Sequence, residues 1–308
     1  MQIDEAQLLS FLATHFQAEI TGIEPVGQGE WSQAFFFSAN QHKKVIRFSA
    51  FDEDFKKDRF AARYSAPNLP IPEIEALGEA FAGFFAISAR IEGQMIELLA
   101  AEELRAVAPA LLGLLIALQS VDGAGTHGYG GFDAQSNAPA PGWRDYLSGM
   151  PADSSTSRLR GWKASLARHS AAHELYQQGR QRLLELIPLC PEARHLIHND
   201  LLHYNLLIQD RRVAGVIDWG CGMWGDFLYD LAMITTWQFY YPAMTGIDFA
   251  GEARRVFASQ GVALPNFSER LQCYQLHLLL DSLSYNAWKD DPANLALTSR
   301  RLEEVLHL

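Results

Sequence analysis

The sequence predicts an α+β protein of two parts, a first part built on antiparallel strands and a larger second part that is mainly helical. The chain has 308 residues, which is more than one hydrophobic core usually serves. Strand and hairpin signals dominate the chain before Gly93, whereas apolar residues at helical spacing dominate after it. We place the boundary near Ser88–Gly93 and expect a smaller first lobe at residues 1–90 and a larger second lobe at 91–308.

The first part is expected to open with an amphipathic helix and to continue with a hairpin. The hairpin turn is predicted at Asn40–Lys43, where polar residues separate two apolar runs. A charged, helix-compatible segment follows and ends at prolines that remove backbone donors. The elements are expected in this order: a helix at Ile3–Phe16, strands at Ala34–Ser38 and Lys44–Phe48, a helix at Asp52–Ala66 and a buried strand at Phe81–Ile91.

The second part carries long segments with helical periodicity. Its first helix has acidic residues in the first turn, where they interact favourably with the helix dipole. A stretch rich in glycine and proline, Asp122–Gly142, is expected to be a surface loop. The predicted helices are Leu104–Leu118, Leu175–Ile187, Phe227–Tyr240 and Leu271–Trp288.

The composition excludes several classes of protein. Apolar residues make up 48% and charged residues 20%, values typical of a globular chain. The formal charge of −11 disfavours a nucleic-acid partner and favours cationic ones. Three cysteines without metal-ligand spacing, and the lack of any long apolar segment, predict a cytoplasmic protein without a membrane partner.

One polar cluster stands out in an apolar setting. His198, Asp200 and Asn205 are followed by a strand-like run and then by Asp218. Each residue alone is typical of a turn or a helix cap. Together, the H-x-D-x-x-x-x-N spacing followed by I-D-W is that of a kinase catalytic loop with its metal-binding acid.

The residue types fit the chemistry of phosphoryl transfer to an alcohol. A hydroxyl is a weak nucleophile, so Asp200 is predicted to orient it and accept its proton. Mg²⁺ prefers oxygen ligands, and Asn205 and Asp218 are predicted to hold it against the nucleotide phosphates. His198 is expected to brace the loop rather than to react.

The chain resembles the aminoglycoside phosphotransferase family, and within it the hygromycin B phosphotransferases. The resemblance implies a two-lobed protein-kinase-like fold, with a small antiparallel-sheet N-lobe, a larger helical C-lobe and a nucleotide in the cleft. Apart from the catalytic and metal motifs, it rests on Gly27–Ser32, Leu69–Glu73, Gly142–Tyr146, Cys190–Leu196 and Gly225–Ala232.

The resemblance also implies how the nucleotide phosphates are held. Gly27, Gly29 and Ser32 would belong to the loop that covers them, because small residues let backbone amides approach an anion. Such families usually place a lysine on the third strand, where this chain has Arg47, and pair it with a glutamate, where this chain has Asp58. Arginine keeps the charge and adds a second donor, so we expect an ion pair between these two residues.

The base of the nucleotide would lie between the lobes. The backbone groups of Ser88 and Arg90 are expected to meet a purine edge, and Leu207 and Ile217 to form the floor of the slot. Because backbone groups make these contacts, the sequence does not show which base is preferred. ATP is the expected donor, and GTP stays open.

The acceptor would be a cationic, hydroxylated small molecule bound by the acidic helical lobe. Aromatic side chains would stack on its sugar rings, and Asp230 is expected to support the catalytic loop or cap a helix. The candidates for direct contact are Asp226, Asp281, Tyr285, Trp288, Asp290 and Asp291.

Three functions stay open at this point. The first is a monomeric kinase of an aminoglycoside-like antibiotic such as hygromycin B. The second keeps the same machinery but acts on a metabolic amino sugar, a choline-like compound or a macrolide alcohol. The third is a non-catalytic nucleotide-binding protein, suggested by the unusual Arg47 and Asp58.

Overall fold

The first part of the chain folds into an antiparallel sheet with a helix packed on it. The computed structural model describes residues 3–26, 32–155, 157 and 159–308. The sheet order is β1-β2-β3-β5-β4, and every neighbouring pair is antiparallel. Its strands are β1 (Ile20–Val26), β2 (Ser32–Ala39), β3 (His42–Ser49), β4 (Ile74–Ala80) and β5 (Gly83–Ala89).

The alternation of apolar residues fixes which face of this sheet is buried. Phe35 and Phe37 of β2, and Ile46 and Phe48 of β3, alternate with more exposed neighbours and point to one side. The helix α1 (Glu5–Phe16) covers that side, so the predicted N-terminal helix and the predicted hairpin are both confirmed.

A second helix leaves the sheet and reaches the other part of the chain. This helix, α2 (Glu53–Ala61), is followed by a 3-10 turn at Ala62–Tyr64. Its charged face lies against the turn Trp219–Cys221 of the second part. The position of α2 therefore depends on both parts of the molecule.

The second part is helical, as predicted, and contains the largest core of the molecule. The fully buried Trp143, Tyr229 and Tyr274 pack their rings against one another within that core. Its helices are α3 (Ala101–Gln119), α4 (Trp143–Ser148), α5 (Trp162–Ala167), α6 (Ser170–Leu186), α7 (Leu228–Trp237), α8 (Phe249–Ser259), α9 (Phe267–Lys289) and α10 (Pro292–Leu306).

Two small antiparallel sheets in this part carry the motif residues. One has the order β10-β9-β6, and the other has the order β7-β11-β8. The catalytic loop runs from the end of β8 to the start of β9. These strands are β6 (Gln94–Met95), β7 (Gly130–Gly131), β8 (His195–Ile197), β9 (Leu206–Gln209), β10 (Arg212–Val216) and β11 (Met223–Gly225).

The large sheet ends close to the predicted lobe boundary. Its last strand, β5, stops at Ala89, and the next strand along the chain, β6, pairs with β9 instead. The bounds 1–90 and 91–308 remain a prediction that agrees with this change of partner. Within the described residues, no helix is long and apolar enough to cross a membrane.

Candidate active site

Asp200 lies in the loop between β8 and β9, with both carboxylate oxygens engaged. Oδ1 lies 2.7 Å from Nδ1 of His203, and Oδ2 accepts a hydrogen bond of 3.0 Å from Nδ2 of Asn205. The side chain keeps 30% of its exposure. Each carboxylate oxygen can accept more than one hydrogen bond, so the carboxylate is oriented but still open to a substrate hydroxyl.

Two buried side chains hold the start of this loop. Nδ1 of His198 accepts from the backbone N–H of Asp200 at 3.2 Å, so its Nε2 carries the proton and donates to the carbonyl of Ile217 at 2.9 Å. Asp230 accepts from the backbone N–H groups of His198 and Asn199 at 2.9 and 2.7 Å. The expectations that His198 braces the loop and that Asp230 supports it are confirmed.

The loop needs this support because its backbone is strained. Asn199, His203 and Tyr204 all have φ values between 63° and 70°, a region that non-glycine residues rarely adopt. Asp218, at the end of β10, shares this feature with φ 61°. The strain therefore falls on the motif residues and their neighbours.

Asn205 and Asp218 form a donor set that fits Mg²⁺. Asn205 is buried and donates from Nδ2 to the carbonyl and carboxylate of Asp200. Its Oδ1 accepts no hydrogen bond from the described residues and can bind a cation. Asp218 is open to the cleft, yet the surrounding protein desolvates its carboxyl and raises its pKa, and the charge of Asp58 raises it further. A divalent cation would relieve this excess of negative charge.

The rest of the coordination sphere would have to come from outside the chain. Among the described residues, no group of three His, Cys, Asp or Glu side chains is arranged to hold a metal ion. Mg²⁺ commonly binds through one or two protein ligands together with phosphate oxygens and water. The amide oxygen of Asn205 and the carboxylate of Asp218 match that pattern.

Arg47 and Asp58 form the ion pair that the sequence predicts. Arg47 on β3 donates to one carboxylate oxygen of the buried Asp58. The other oxygen accepts from the backbone N–H of Trp219 at 2.7 Å, and Nζ of Lys57 donates to the carbonyl of Gly220 at 3.1 Å. Together with Lys57, the pair thus fixes the turn that follows Asp218.

A cavity of about 140 Å³ lies between the large sheet and the second part. Side chains of β1, β2 and β3 form its roof, and β9, β10 and Ile217 form its floor. It is apolar at one end and charged at the other, as a nucleotide with a flat base and anionic phosphates requires. The residues that define it include Val26, Ala34, Phe36, Val45, Arg47, Asp58, Ser88, Leu207, Ile217 and Asp218.

The expected base contact by Arg90 is wrong. Its backbone N–H donates to the carbonyl of Lys43 at 3.0 Å, and its guanidinium lies 3.8 Å from the ring centre of Phe36. Ser88 lies two residues before Arg90 and is paired with Val45 of β3. Because every second residue of an antiparallel strand bonds to the same neighbour, the backbone groups of Ser88 also point to β3. Ser88 lines the cavity without offering free backbone groups.

Two neighbouring residues fit the expected base contact better. Ala89 and Ile91 both line the cavity. The backbone groups of Ala89 alternate with those of Ser88 and so face away from β3. These two residues are better placed than Ser88 and Arg90 to meet a purine edge.

The expected phosphate-covering loop is only partly visible. Gly27 and Gly29 lie outside the described residues. Ser32 opens β2, where it pairs with Ser49 of β3 and is half-buried. A role for these three residues in binding phosphate remains a prediction.

Asp226 must be removed from the predicted acceptor set. It is fully buried and makes a salt bridge of 2.6 Å with Arg270, and the Tyr274 hydroxyl donates to it at 2.5 Å. A carboxylate with these partners has no access to a ligand. Asp226 therefore stabilises the helical core.

Asp290 and Asp291 have structural roles at the junction of α9 and α10. Asp290 lies 3.5 Å from Arg168 across the surface. Asp291 caps α10 by accepting from the backbone N–H of Asn294 at 3.0 Å and from its Nδ2 at 2.7 Å. Nine residues of helical rise put Asp290 roughly 14 Å along α9 from Asp281. The predicted acids do not converge.

Asp281, Tyr285 and Trp288 remain candidates for acceptor binding on α9. Asp281 is open to solvent, and desolvation by the protein around it raises its pKa to about 6. No hydrogen bond or ion pair engages it within the described part of the chain. The rings of Tyr285 and Trp288 lie 5.9 Å apart, and Trp288 is 37% exposed.

Three residues near Asp200 escaped sequence reasoning. His203 lies within the motif, and its contact with Asp200 follows from its spacing of three residues. Glu97 accepts from the backbone N–H of Tyr204 at 3.0 Å, and the ring of Tyr241 lies 6.2 Å from that of His203. Glu97 and Tyr241 come from distant segments, and no local pattern indicates their position.

Comparisons with known proteins agree with this geometry. A protein-family model described as "Phosphotransferase enzyme family" (APH) matches residues 22–261. The chain is 29% identical over 275 residues to the hygromycin-B 4-O-kinase of Escherichia coli, which covers 89% of this chain and 76% of that protein.

Solved structures of one enzyme are similar over nearly the whole chain. A thermostable mutant of aminoglycoside phosphotransferase APH(4)-Ia, in a ternary complex with AMP-PNP and hygromycin B, has a TM-score of 0.80 at 26% identity, covering 97% of this chain and 98% of that one. A further structure of APH(4)-Ia has the same TM-score and identity and covers 99% of both chains.

Proposed function

Because this chain belongs to the phosphotransferase enzyme family, we propose that it transfers the γ-phosphoryl group of ATP to a hydroxyl of an aminoglycoside-like acceptor, with hygromycin B as the first candidate. The observation that carries the proposal is the Asp200 carboxylate, held by Asn205 and His203 beside a cavity whose charged end is formed by Arg47, Asp58 and Asp218. Asp200 is the base, and the cavity is the nucleotide site.

Asp200, Arg47 and Asp58 have separate roles in this reaction. Asp200 accepts a hydrogen bond from the acceptor hydroxyl, orients its oxygen towards the γ-phosphorus and takes the proton as the new P–O bond forms. The bond between the γ-phosphorus and the β–γ bridging oxygen of ATP breaks in the same step, and ADP leaves. Arg47 attracts the nucleotide phosphates while Asp58 keeps its guanidinium in place. Catalysis of this kind is mostly positioning and electrostatic stabilisation.

Asn205 and Asp218 would hold Mg²⁺ at the phosphate end of the cleft. When bound, Mg²⁺ neutralises charge on the phosphate oxygens and aligns them for in-line transfer. The surplus of carboxylates around Asp218 favours such a cation.

Four findings support an aminoglycoside-like acceptor. A relative that shares 29% of its residues with this chain is a hygromycin-B 4-O-kinase, and the similar ternary complex contains hygromycin B. The chain itself carries a charge of −11, which attracts polycations. Asp281 adds a carboxylate that is open to solvent in the helical part.

Purified protein assayed with ATP or GTP and Mg²⁺ against a panel of alcohols tests this proposal. The panel holds hygromycin B, other aminoglycosides, amino sugars, choline and a macrolide, with nucleoside diphosphate release as the readout. We expect the fastest release with hygromycin B and ATP. Asp200→Asn should lower kcat by about 10² to 10⁴ while leaving nucleotide affinity intact.

Other outcomes would revise the proposal in defined ways. Release with an amino sugar or choline alone would reassign the acceptor but keep the mechanism. Wild-type turnover by the Asp200→Asn variant on its true acceptor would remove Asp200 as the base. Nucleotide binding without release for any acceptor would favour a non-catalytic nucleotide-binding protein.

A further inference from the structure

Glu97 presents an unpaired carboxylate oxygen next to the catalytic loop. It lies in the 3-10 turn Ile96–Leu98 that joins β6 to α3. Its Oε1 accepts from the backbone N–H of Tyr204 at 3.0 Å. Its Oε2 is buried and has no hydrogen-bond partner within the described part of the chain. A buried acceptor without a donor is costly, so the missing donor calls for a physical explanation.

The neighbours of Glu97 place this oxygen beside the catalytic base. Burial raises the pKa of Glu97, and the charge of Asp200 raises it further, while the backbone N–H groups of Tyr204 and of Glu97 itself and the charge of His203 oppose the rise. Burial and then the charge of Glu97 raise the pKa of Tyr241 to about 12. Glu97 thus lies close to Asp200, Tyr241 and the exposed Tyr204.

The missing partner does not belong to the nucleotide. Met95, two residues earlier, lines the cavity beneath the sheet, whereas Glu97 does not. Phosphate groups are anionic and would repel the carboxylate. A donor that arrives with the acceptor has the opposite character, and the acceptor must bring its hydroxyl to Asp200, which lies close to Glu97.

We propose that Glu97 is a specificity-determining residue of the acceptor site, and that its Oε2 binds an ammonium group of an amine-bearing acceptor while its Oε1 holds Tyr204. This inference rests on the proposed function and adds to it the residue that recognises an amine of the acceptor. The acceptor carries a protonated amine close to the hydroxyl that is phosphorylated, and neutral polyols are discriminated against. A charge-assisted hydrogen bond of this kind is stronger than a neutral one.

The variant Glu97→Gln separates this role from a structural one. Glutamine keeps an oxygen for the Tyr204 N–H but replaces the other oxygen by an NH₂ group that cannot accept from an ammonium. We expect the KM for hygromycin B to rise about tenfold, with kcat and the KM for ATP unchanged. Hygromycin B with its amino groups acetylated should bind wild type and Glu97→Gln equally well.

The matched control is Glu92→Gln. Glu92 is exposed and ion-paired with Lys43 at 2.8 Å, so this variant makes the same change in net charge away from the catalytic loop. Its KM for hygromycin B should equal that of wild type. A rise as large as that of Glu97→Gln would attribute the effect to net charge and overturn the proposal.

The comparison between native and acetylated acceptor is made within one preparation, so partial unfolding of the variant cancels. Three results for Glu97→Gln would overturn the role of Glu97 alone. They are an unchanged KM for hygromycin B, an equal loss of binding for the acetylated acceptor, and a higher KM for ATP. Failure of the wild-type protein to bind or phosphorylate any amine-bearing acceptor would overturn the proposed function and this inference together.

Discussion

At the scale of single residues, the cleft holds more carboxylates than the protein itself compensates. Asp58 has Arg47 and a backbone N–H as partners, whereas Asp218 and Asp281 have their pKa values raised by desolvation. Partners for these carboxylates are therefore expected to arrive with the ligands, a cation with the nucleotide and amines with the acceptor. Such an arrangement makes ligand binding dependent on pH.

Binding of a cationic acceptor should depend on the ionisation of Asp281. Its pKa is raised to about 6, so the carboxylate gains its charge only as the pH rises through that value. We expect the ratio of kcat/KM for hygromycin B between wild type and Asp281→Asn to increase from about pH 5 to about pH 7 and then level off. Initial rates across this range measure the ratio.

The control for this prediction is Asp290→Asn. Asp290 is an exposed acid that pairs with Arg168 at the end of α9. The ratio of kcat/KM for hygromycin B between wild type and Asp290→Asn should therefore not change over the same pH range. A flat ratio for Asp281→Asn as well would exclude Asp281 from the acceptor site.

Sequence reasoning at this scale succeeded where the partners are close along the chain or fixed by a motif. Asp200 and Asn205 lie within one loop. Arg47 near the end of β3 and Asp58 in the next helix, α2, are 11 residues apart along the chain. It failed for Asp226, because the partner that buries its charge, Arg270, is 44 residues away. An acid on an acidic lobe does not show, by its sequence, whether it is buried in an ion pair.

At the scale of elements, the catalytic loop is held by the start of α7 and the turn after β10 rather than by its own backbone. Asp230, in the first turn of α7, accepts two N–H groups of the loop, and the carbonyl of Ile217 accepts from His198. These contacts offset the strained φ values of the loop. The geometry of Asp200 therefore depends on a residue that never touches the substrate.

Replacing Asp230 by asparagine should misplace the loop. Each carboxylate oxygen of Asp230 accepts one backbone N–H group. Asparagine has only one acceptor oxygen, and its NH₂ group would face the second N–H, which is also a donor. We expect kcat to fall about tenfold to a hundredfold with little change in the KM for ATP. Steady-state kinetics with hygromycin B and ATP measure this split. A normal kcat would show that Asp230 does not position the base.

The stability of the Asp230→Asn variant should differ from that of wild type in a pH-dependent way. Burial raises the pKa of Asp230 from its usual value of 3.8 to about 6, so its contribution to stability is complete below about pH 4 and is lost as the pH rises through 6. The stability of wild type relative to the variant should therefore decrease from about pH 4 to about pH 7. Denaturant unfolding at several pH values measures this difference.

Several of the elements that escaped prediction have weak patterns, but the longer helices α8 and α10 were missed as well. The strands β1 and β4 lie at the two edges of the large sheet, and their burial alternates poorly. Gly22 and Pro25 interrupt β1, residues that disfavour a strand interior. The helices α4 and α5 have six residues each, too few to show a helical period. Long helices with apolar faces, such as α3 and α9, were predicted within a few residues of their ends.

At the scale of the whole molecule, α2 joins the two parts at the candidate metal site. Asp58 accepts from Trp219, and Lys57 donates to Gly220, in the turn directly after Asp218. A nucleotide in the cavity would contact both parts, since the large sheet forms the roof and β9 and β10 form the floor. Nucleotide and Mg²⁺ should therefore stabilise the assembly of the two parts as one unit.

We expect AMP-PNP with Mg²⁺, at about a hundred times its dissociation constant, to raise the thermal midpoint by about 5 °C. In Asp218→Asn the rise should fall to the value that AMP-PNP gives without Mg²⁺, because the variant loses the carboxylate ligand. Asp200→Asn is the matched control: it removes one charge from the same cleft but keeps Asn205 and Asp218, so its rise should equal that of wild type. Differential scanning calorimetry measures all three proteins. An equal Mg²⁺-dependent rise in Asp218→Asn would mean that another group in the cleft holds the cation.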